Sequence, residues 1–315
     1  MIAERPAKMS RRAFVLAAAV LAASGCIHGE PRGSVRLAAG QRGGLYLAFA
    51  ELLAERIRGR YSDIGAEVVP TEGSVDNLAL LRAGDVDMGL TLADVAEQDR
   101  ASGADDTAPQ AVARVYKNYL QVVVRDSAAV QQLSDLEGLR VSIGAAGSGA
   151  ATTSQVLFDT AGLTGRVHML GYRLQEGLSR LADGTVDALV WSGGVPTPAI
   201  AELDDTVPLR MLDLGRHAAA MADGSGYPYL ARRVPTVNYV PPGLRSIGVP
   251  DLLLCRQGTS SDMVAAVVDV LATEAPKLVP PYVRGLQYLD PPAMIQTGRV
   301  PLHRDAIRTY RRLHG

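Results

Sequence analysis

The chain is poor in the residues and motifs that several functions require. It has only two cysteines in 315 residues, Cys26 and Cys255. If Cys26 is taken by modification, Cys255 stands alone and no intramolecular disulfide can form. The five histidines (His28, His168, His217, His303 and His314) show neither the paired spacing of metal ligands nor a partnered cysteine. Neither a GxGxxG fingerprint nor a Walker loop is present for phosphates, and no GxSxG elbow presents a serine nucleophile. These gaps argue against an enzyme and give no cofactor or metal to look for. The formal net charge is −1, so no basic excess exists to displace counterions from nucleic acid. After the N-terminal segment, no apolar run reaches the length of a membrane span.

The N-terminus reads as an export signal over residues 1–25. In "MSRRAFVLAAAVLAASGC" a basic start (Lys8, Arg11, Arg12) precedes an apolar run from Ala13 to Ala23 and the small residues Ser24 and Gly25. The run is too short for a comfortable span. Ser10–Leu16 resembles the twin-arginine motif S-R-R-x-F-L-K, although Arg-Arg also occurs in general-secretory signals. Ala23-Ser24-Gly25-Cys26 resembles a lipobox, which would lipidate Cys26 and tether the protein to the outer face of the cytoplasmic membrane. A soluble export signal with an incidental cysteine is the alternative. Cleavage before Cys26 removes four Lys/Arg and one Glu, leaving 28 basic against 32 acidic residues.

Strands and helices then alternate, the pattern of an α/β sheet. Strands are expected at Val35–Ala39, Ala66–Pro70 and Val86–Leu92, with helices at Tyr46–Arg58 and Val75–Ala83. From Arg140 the order repeats: strand 140–145, a glycine turn, helix Thr152–Ala161, strand Val167–Leu170, helix Gln175–Ala182 and strand Val186–Trp191. "LLRAGDVDMGLT" (80–91) aligns with "RLADGTVDALVW" (180–191), matching Leu81, Gly84, Val86 and Asp87 to Leu181, Gly184, Val186 and Asp187. Either an internal repeat or two units of ordinary βαβ grammar produces this match. Asp87 and Asp187 each follow a helix-ending glycine and fix the turn into the strand. Two β-rich stretches, 118–127 and 246–256, are long enough to cross between lobes, and a helix at 260–275 follows. Two lobes joined by two strands make a hinged clamp. The glycine turns at Gly40–Gly44 and Gly144–Gly149 would face each other across it, aiming helix N-termini at a small anion.

"GQRGGLY" (40–46), "TEGSVDNLALLRAGDVDMGL" (71–90), "DLEGLRVSIGAAGSGAATT" (135–153), "LADGTVDAL" (181–189) and "SGGVPTPAI" (192–200) stand in order along the chain. Together they closely resemble the TAXI group of solute receptors (TRAP-associated extracytoplasmic immunogenic proteins) over essentially the whole mature chain. The resemblance implies a type II periplasmic-binding-protein fold: lobe 1 at 34–121 and 247–315, lobe 2 at 122–246. It implies capture of a small organic acid or amino acid for a TRAP-type transporter, with its membrane subunits as partners. A sensory receptor with the same clamp is the alternative. Carried over by motif, the ligand-binding positions are Gly43, Gly44, Leu45, Tyr46, Ser74, Asn77, Ala93, Gly147, Ser148, Gly149 and Ala150, with Trp191 and Gly193 at the next strand end. Leu45, Ala150 and Ala93 stand where the family carries hydroxyl residues, so most of the ligand would meet a less polar wall. That favours a monocarboxylate or a more apolar acid over a glutamate-like one. Ser148 reads as a helix-start cap. Trp191 reads either as a cleft residue or as core packing beside the hinge.

Cys26→Ser should release the protein from the membrane into the soluble fraction, which fractionation followed by immunoblotting checks. Unchanged membrane association would exclude a lipid anchor at this residue.

Overall fold

The computed structural model describes residues 32–103, 107–284 and 289–313. The signal segment and Cys26 lie outside the described residues.

The first half runs β1 (Gly33–Ala38), α1 (Leu45–Arg60), β2 (Ile64–Val69), α2 (Ser74–Ala83), β3 (Met88–Leu92) and α3 (Ala93–Ser102). Strand β4 (Gln110–Arg125) leads out of it. The second half repeats the order as β5 (Arg140–Ser142), α4 (Gly149–Thr160), β6 (His168–Leu170), α5 (Leu174–Ala182) and β7 (Ala188–Gly193). It continues through α6 (Pro198–Asp204), β8 (Leu209–Met211), α7 (Ala218–Ser225) and β9 (Leu230–Arg233). Strand β10 (Arg245–Cys255) returns to the first half, where α8 (Ser261–Thr273), α9 (Pro291–Met294) and α10 (Arg304–Leu313) complete the packing.

The strands form one sheet in the order β2-β1-β3-β10-β4-β7-β5-β6, with β8 added to β4 and β9 to β10. Parallel triads β2-β1-β3 and β6-β5-β7 flank an antiparallel central pair. β4 pairs with β10 from Gln110 to Tyr119, then with β7 from Tyr119 to Val124. β10 pairs with β9 from Arg245 to Gly248, then with β3 from Asp251 to Cys255. Both long strands therefore change partners near Tyr119 and Gly248. The sequence reading opened the first crossing at 118. The strand begins eight residues earlier, at Gln110, because Ala111–Ala113 are buried against the first half. Helix α3 was not foreseen, and α4 starts at Gly149 rather than at Thr152.

Three apolar clusters hold these elements. Phe49, Leu53 and Ile57 of α1 pack with Val264, Val267 and Leu271 of α8 on one face of the first half. Leu178, Leu181, Ile200 and Tyr239 pack beneath α5 and α6. The third cluster joins the halves through Leu120, Val122, Val249 and Leu252. Cys255 is fully buried, and burial pushes its thiol up to about 12. It packs as a small hydrophobe.

The repeat extends to single hydrogen bonds. Arg36 N–H donates to Asp87 Oδ2 at 3.0 Å, and Asp87 N–H donates to the Arg36 carbonyl at 3.0 Å. Arg140 and Asp187 make the same reciprocal pair at 2.9 and 2.8 Å. Each aspartate thus locks the entry of a strand to its parallel neighbour. Burial alone would raise the Asp187 carboxyl, but its hydrogen bonds from Arg140 outweigh that and hold it below its ordinary value. A carboxyl depressed in the folded state stabilises the fold above its unfolded pKa, and this contribution is lost as pH falls through the folded pKa. Asp187→Asn should therefore lower stability by about 1 kcal/mol at neutral pH. The difference should shrink below roughly pH 4, as urea unfolding at both pH values checks.

Candidate functional site

The ends of the parallel strands in the two halves converge on one cavity. It is lined by Gly40, Gln41, Gly44, Leu45 and Tyr46 from the first glycine turn, and by Glu72, Gly73, Ser74 and Leu92 from the neighbouring strand and helix ends. Ser148, Gly149 and Ala150 of the second turn, Trp191 and Ser192 of β7 and Asn118 of β4 complete it. Its water-accessible volume is about 40 Å³. That is room for a small ligand, since one water needs at least ~10–15 Å³ on the same measure.

Two helices from opposite halves begin at this cavity. Helix geometry leaves the N–H groups of the first turn without acceptors inside the helix. In α1 these include Leu45 and Tyr46, behind an N-cap, Gly44, that makes no side-chain cap. In α4 they include Gly149 and Ala150, while Ala151 N–H donates to Ser148 Oγ at 3.2 Å. Ser148 is thus an N-cap. The N-terminus of α2 is closed differently: Val75 and Asp76 N–H donate to the Gly147 carbonyl at 3.0 and 3.2 Å, across the gap between the halves.

The halves meet closely, and glycine is what permits it. A Cβ on Gly149 would come within 2.6 Å of both Leu92 Cδ1 and Ser74 Oγ, and one on Gly44 within 3.2 Å of the Trp191 ring. Around the cavity, Leu174 N–H donates to Gln41 Oε1 at 2.9 Å, and Arg173 forms an ion pair with Glu72. Behind it, Asp94 Oδ2 accepts hydrogen bonds from Thr153 Oγ1 at 2.8 Å and Tyr229 OH at 2.6 Å. Burial raises the Asp94 carboxyl above its ordinary value, although these donors work the other way.

A polar chain lies beneath α1. Tyr46 OH donates to Asp251 Oδ1 at 2.7 Å and lies 3.3 Å from Ser74 Oγ, which accepts Leu92 N–H at 3.1 Å. Asn118 Nδ2 donates to the same Asp251 oxygen at 3.1 Å. Asp251 is fully buried, and burial drives its carboxyl well above the usual range. Its Oδ2, Asn118 Oδ1, Trp191 Nε1 and Ser192 Oγ have no partner among the described residues.

Of the positions read from the sequence, Gly44, Leu45, Tyr46, Ser74, Ser148, Gly149, Ala150 and Trp191 line the cavity. Gly43, Asn77, Ala93, Gly147 and Gly193 do not. Gly43 abuts Gln175 and Ala199 at the gap, Gly147 serves α2 through its carbonyl, and Gly193 lies against the Trp191 indole nitrogen. Ala93 is the first residue of α3. Asn77 cannot serve as a ligand donor in this arrangement. Its Nδ2 donates to the Ala39 and Leu90 carbonyls and its Oδ1 accepts from Thr71, all at 2.6 Å, tying β1 to β3. Asn118, Ser192 and Asp251 were missed. The signal was there, since a polar residue inside an apolar strand needs a reason. The expected low-polarity wall is present in Leu45, Leu92, Ala150 and the Trp191 ring, but Asn118 and Ser192 interrupt it.

Residues 37–312 match the NMT1-like family. Among solved structures, a protein of Bordetella bronchiseptica RB50 aligns with TM-score 0.54 at 13% identity, covering 91% of this chain and 100% of that one. Tv2483 bound to L-arginine aligns with TM-score 0.51 at 14% identity, covering 78% and 87%. The substrate-binding protein of an amino acid ABC transporter aligns with TM-score 0.50 at 14% identity, covering 78% and 96%. The shared architecture is the type II periplasmic solute-binding fold.

Asn77→Leu should lower stability by about 2 kcal/mol or more, because two buried carbonyls lose their donor. Ligand affinity of the folded fraction should stay within about twofold, since Asn77 stands outside the cavity. Urea unfolding and calorimetry separate the two effects.

Proposed function

Because the chain belongs to the NMT1-like family, we propose that it is an exported solute-binding receptor that closes two lobes on a small carboxylate. The observation that carries this reading is the convergence of two helix N-termini, one from each lobe, on a single cavity. Each helix end favours an anion by roughly 0.3–1 kcal/mol, and each N–H bond to a charged acceptor adds roughly 1.5–3 kcal/mol. Gly44–Tyr46 and Gly149–Ala150 grip the carboxylate, and Ser74 orients it. Closure brings the two grips together, so affinity depends on both lobes. The lobes are 34–121 with 247–315, and 122–246, flexing where β4 and β10 change partners. We read no catalytic role into Ser148, whose hydroxyl caps its own helix.

A lipid anchor on Cys26 holds the receptor at the outer face of the cytoplasmic membrane. The TAXI resemblance favours delivery to a TRAP-type permease. The likeness to the receptor of an amino acid ABC transporter favours an ABC permease instead. The genes adjacent to this one distinguish these partners, and a neighbouring signalling protein would favour a sensory role.

A thermal-shift screen of organic acids and amino acids tests the ligand class. A ligand at 100 times its Kd should stabilise the protein by about 2.7 kcal/mol. A best ligand that is cationic, or that lacks an anionic group, overturns the reading. Trp191 is 7% exposed and packs against Gly44 of the other lobe. Its emission should therefore change saturably with ligand, and Trp191→Ala should weaken binding without changing the circular-dichroism spectrum.

A further inference from the structure

Helix α10 gathers charge of one sign on one face. At 3.6 residues per turn, Arg304, Arg308, Arg311 and Arg312 fall within an arc of about 100°. The opposite face, with Ala306 and Tyr310, is buried in the first half. The arginine side chains stand in solvent, 83% exposed at Arg304 and 65% at Arg308, with Arg311 and Arg312 also exposed. Asp305, set among them, is 3% exposed and accepts a hydrogen bond from Ser261 Oγ at 2.6 Å. Elsewhere on the first half arginines are matched singly by acids: Arg32 by Asp63, Arg60 by Asp269 and Arg256 by Asp87. Arg311 and Arg312 suit the negative end of their helix. Arg304 stands at the positive end, so the helix dipole does not account for the face.

The face lies at the end of the molecule where the chain enters the fold. Gly33 opens β1, and a Cβ there would stand 3.8 Å from Met263 Cε in the first turn of α8. Ser261, two positions earlier, is the residue that bonds Asp305 of α10. Between the two helices runs a groove of about 530 Å³, lined by Ser261, Asp262, Ala265, Arg308, Arg311 and Arg312. Face and groove together carry four arginines against two acids, Asp262 and Asp305. The ligand cavity begins at Gly40, past the other end of β1, so this surface is no part of it. Seven residues separate Cys26 from Gly33, and a lipid on Cys26 would hold this end within about 25 Å of the bilayer.

We propose that the arginine face of α10 docks on the anionic lipid headgroups of the membrane to which Cys26 tethers the chain. The first half then stands on the bilayer with the ligand cavity at its far end. This rests on the anchored receptor described above and adds an orientation to it. The whole chain has a formal charge of −1, so its overall charge does not draw it to an anionic surface, and attraction depends on this local excess. A basic patch beside a lipid anchor supplies a second membrane signal.

The test is sedimentation of the purified mature protein carrying Cys26→Ser, at low salt, with phosphatidylglycerol-containing vesicles and with phosphatidylcholine vesicles. No lipid anchor contributes here, so a failure is distinct from a failure of the anchor, which fractionation of cells making Cys26→Ser reads. The protein should partition onto the anionic vesicles about tenfold or more better than onto the neutral ones. About 0.5 M NaCl should abolish the difference by screening. Arg304→Gln, Arg311→Gln and Arg312→Gln together should lower the partition by about tenfold or more, since each arginine near the surface is worth about fivefold. That variant keeps Arg308 beside the buried Asp305, and an unchanged urea midpoint checks its fold. Arg166→Gln, Arg180→Gln and Arg216→Gln on the second half change the net charge equally and should alter the partition by no more than about twofold. Equal losses in the two triple variants would reduce the effect to net charge and overturn the proposal. No preference for anionic vesicles would overturn it as well and leave the face to an acidic protein partner. Should the first triple variant fail to fold, a fluorophore on Leu313→Cys, beside Arg312, decides, because Cys255 is fully buried and takes no label. Nitroxide-labelled headgroups should quench that probe and spare the same probe on Arg166→Cys; equal quenching at both positions refutes the orientation.

Discussion

Two strands shared by both halves set every other relation in this molecule. β4 and β10 pair with each other through the middle of the sheet; β10 also pairs with β3 of the first half and β9 of the second, and β4 with β7 and β8 of the second. Neither half can finish its sheet without them. The partners change around Tyr119 and Gly248, where the two halves join. The polar residues buried on these strands serve both sides of that region. Gln121 donates to the Gly193 and Gly194 carbonyls and to Thr197, and it accepts from Tyr239. Ser246 donates to the Leu120 carbonyl. A strand interior that would otherwise be wholly apolar thus carries groups that fix the end of β7 and the turn after it.

Several polar contacts distributed around the cavity join the two halves. Gly147 accepts from α2, Gln41 from Leu174, and Asp94 from Thr153 and Tyr229. The exposed Arg173–Glu72 pair at the mouth contributes little by itself, because solvent screens it. The Asp94 contacts are more consequential, since Asp94 is buried with both donors supplied by the opposite half. A buried acceptor there without those donors would be costly, so these bonds tie the two halves together.

The polar chain from Ser74 through Tyr46 and Asp251 to Asn118 links the two ends of the cavity. It holds Tyr46 at the start of α1 and orients the Asn118 amide. Disturbing one end therefore changes the geometry of the other. Burying a carboxyl is costly without fixed donors, which Tyr46 and Asn118 supply to Asp251 Oδ1.

The sequence by itself determined the two βαβ halves, the glycine turns and the helices that begin at them. Local grammar suffices there: Gly84 and Gly184 end helices, Val86 and Val186 enter strands, and Asp87 and Asp187 pin those entries. The motif resemblance marked Gly44, Tyr46, Ser74 and Gly149, and its place at a strand end marked Trp191. Only the tertiary structure decided which polar residues reach the cavity. Asn77 and Asn118 are both buried asparagines. The first bonds to the Ala39 and Leu90 carbonyls, and the second lines the cavity while Asp251, 133 positions away, takes its amide nitrogen. No periodicity or spacing records that choice. A hydrogen-bond partner depends on which strands lie side by side, and the pairing of β4 with β10 is fixed only when the chain returns from the second half.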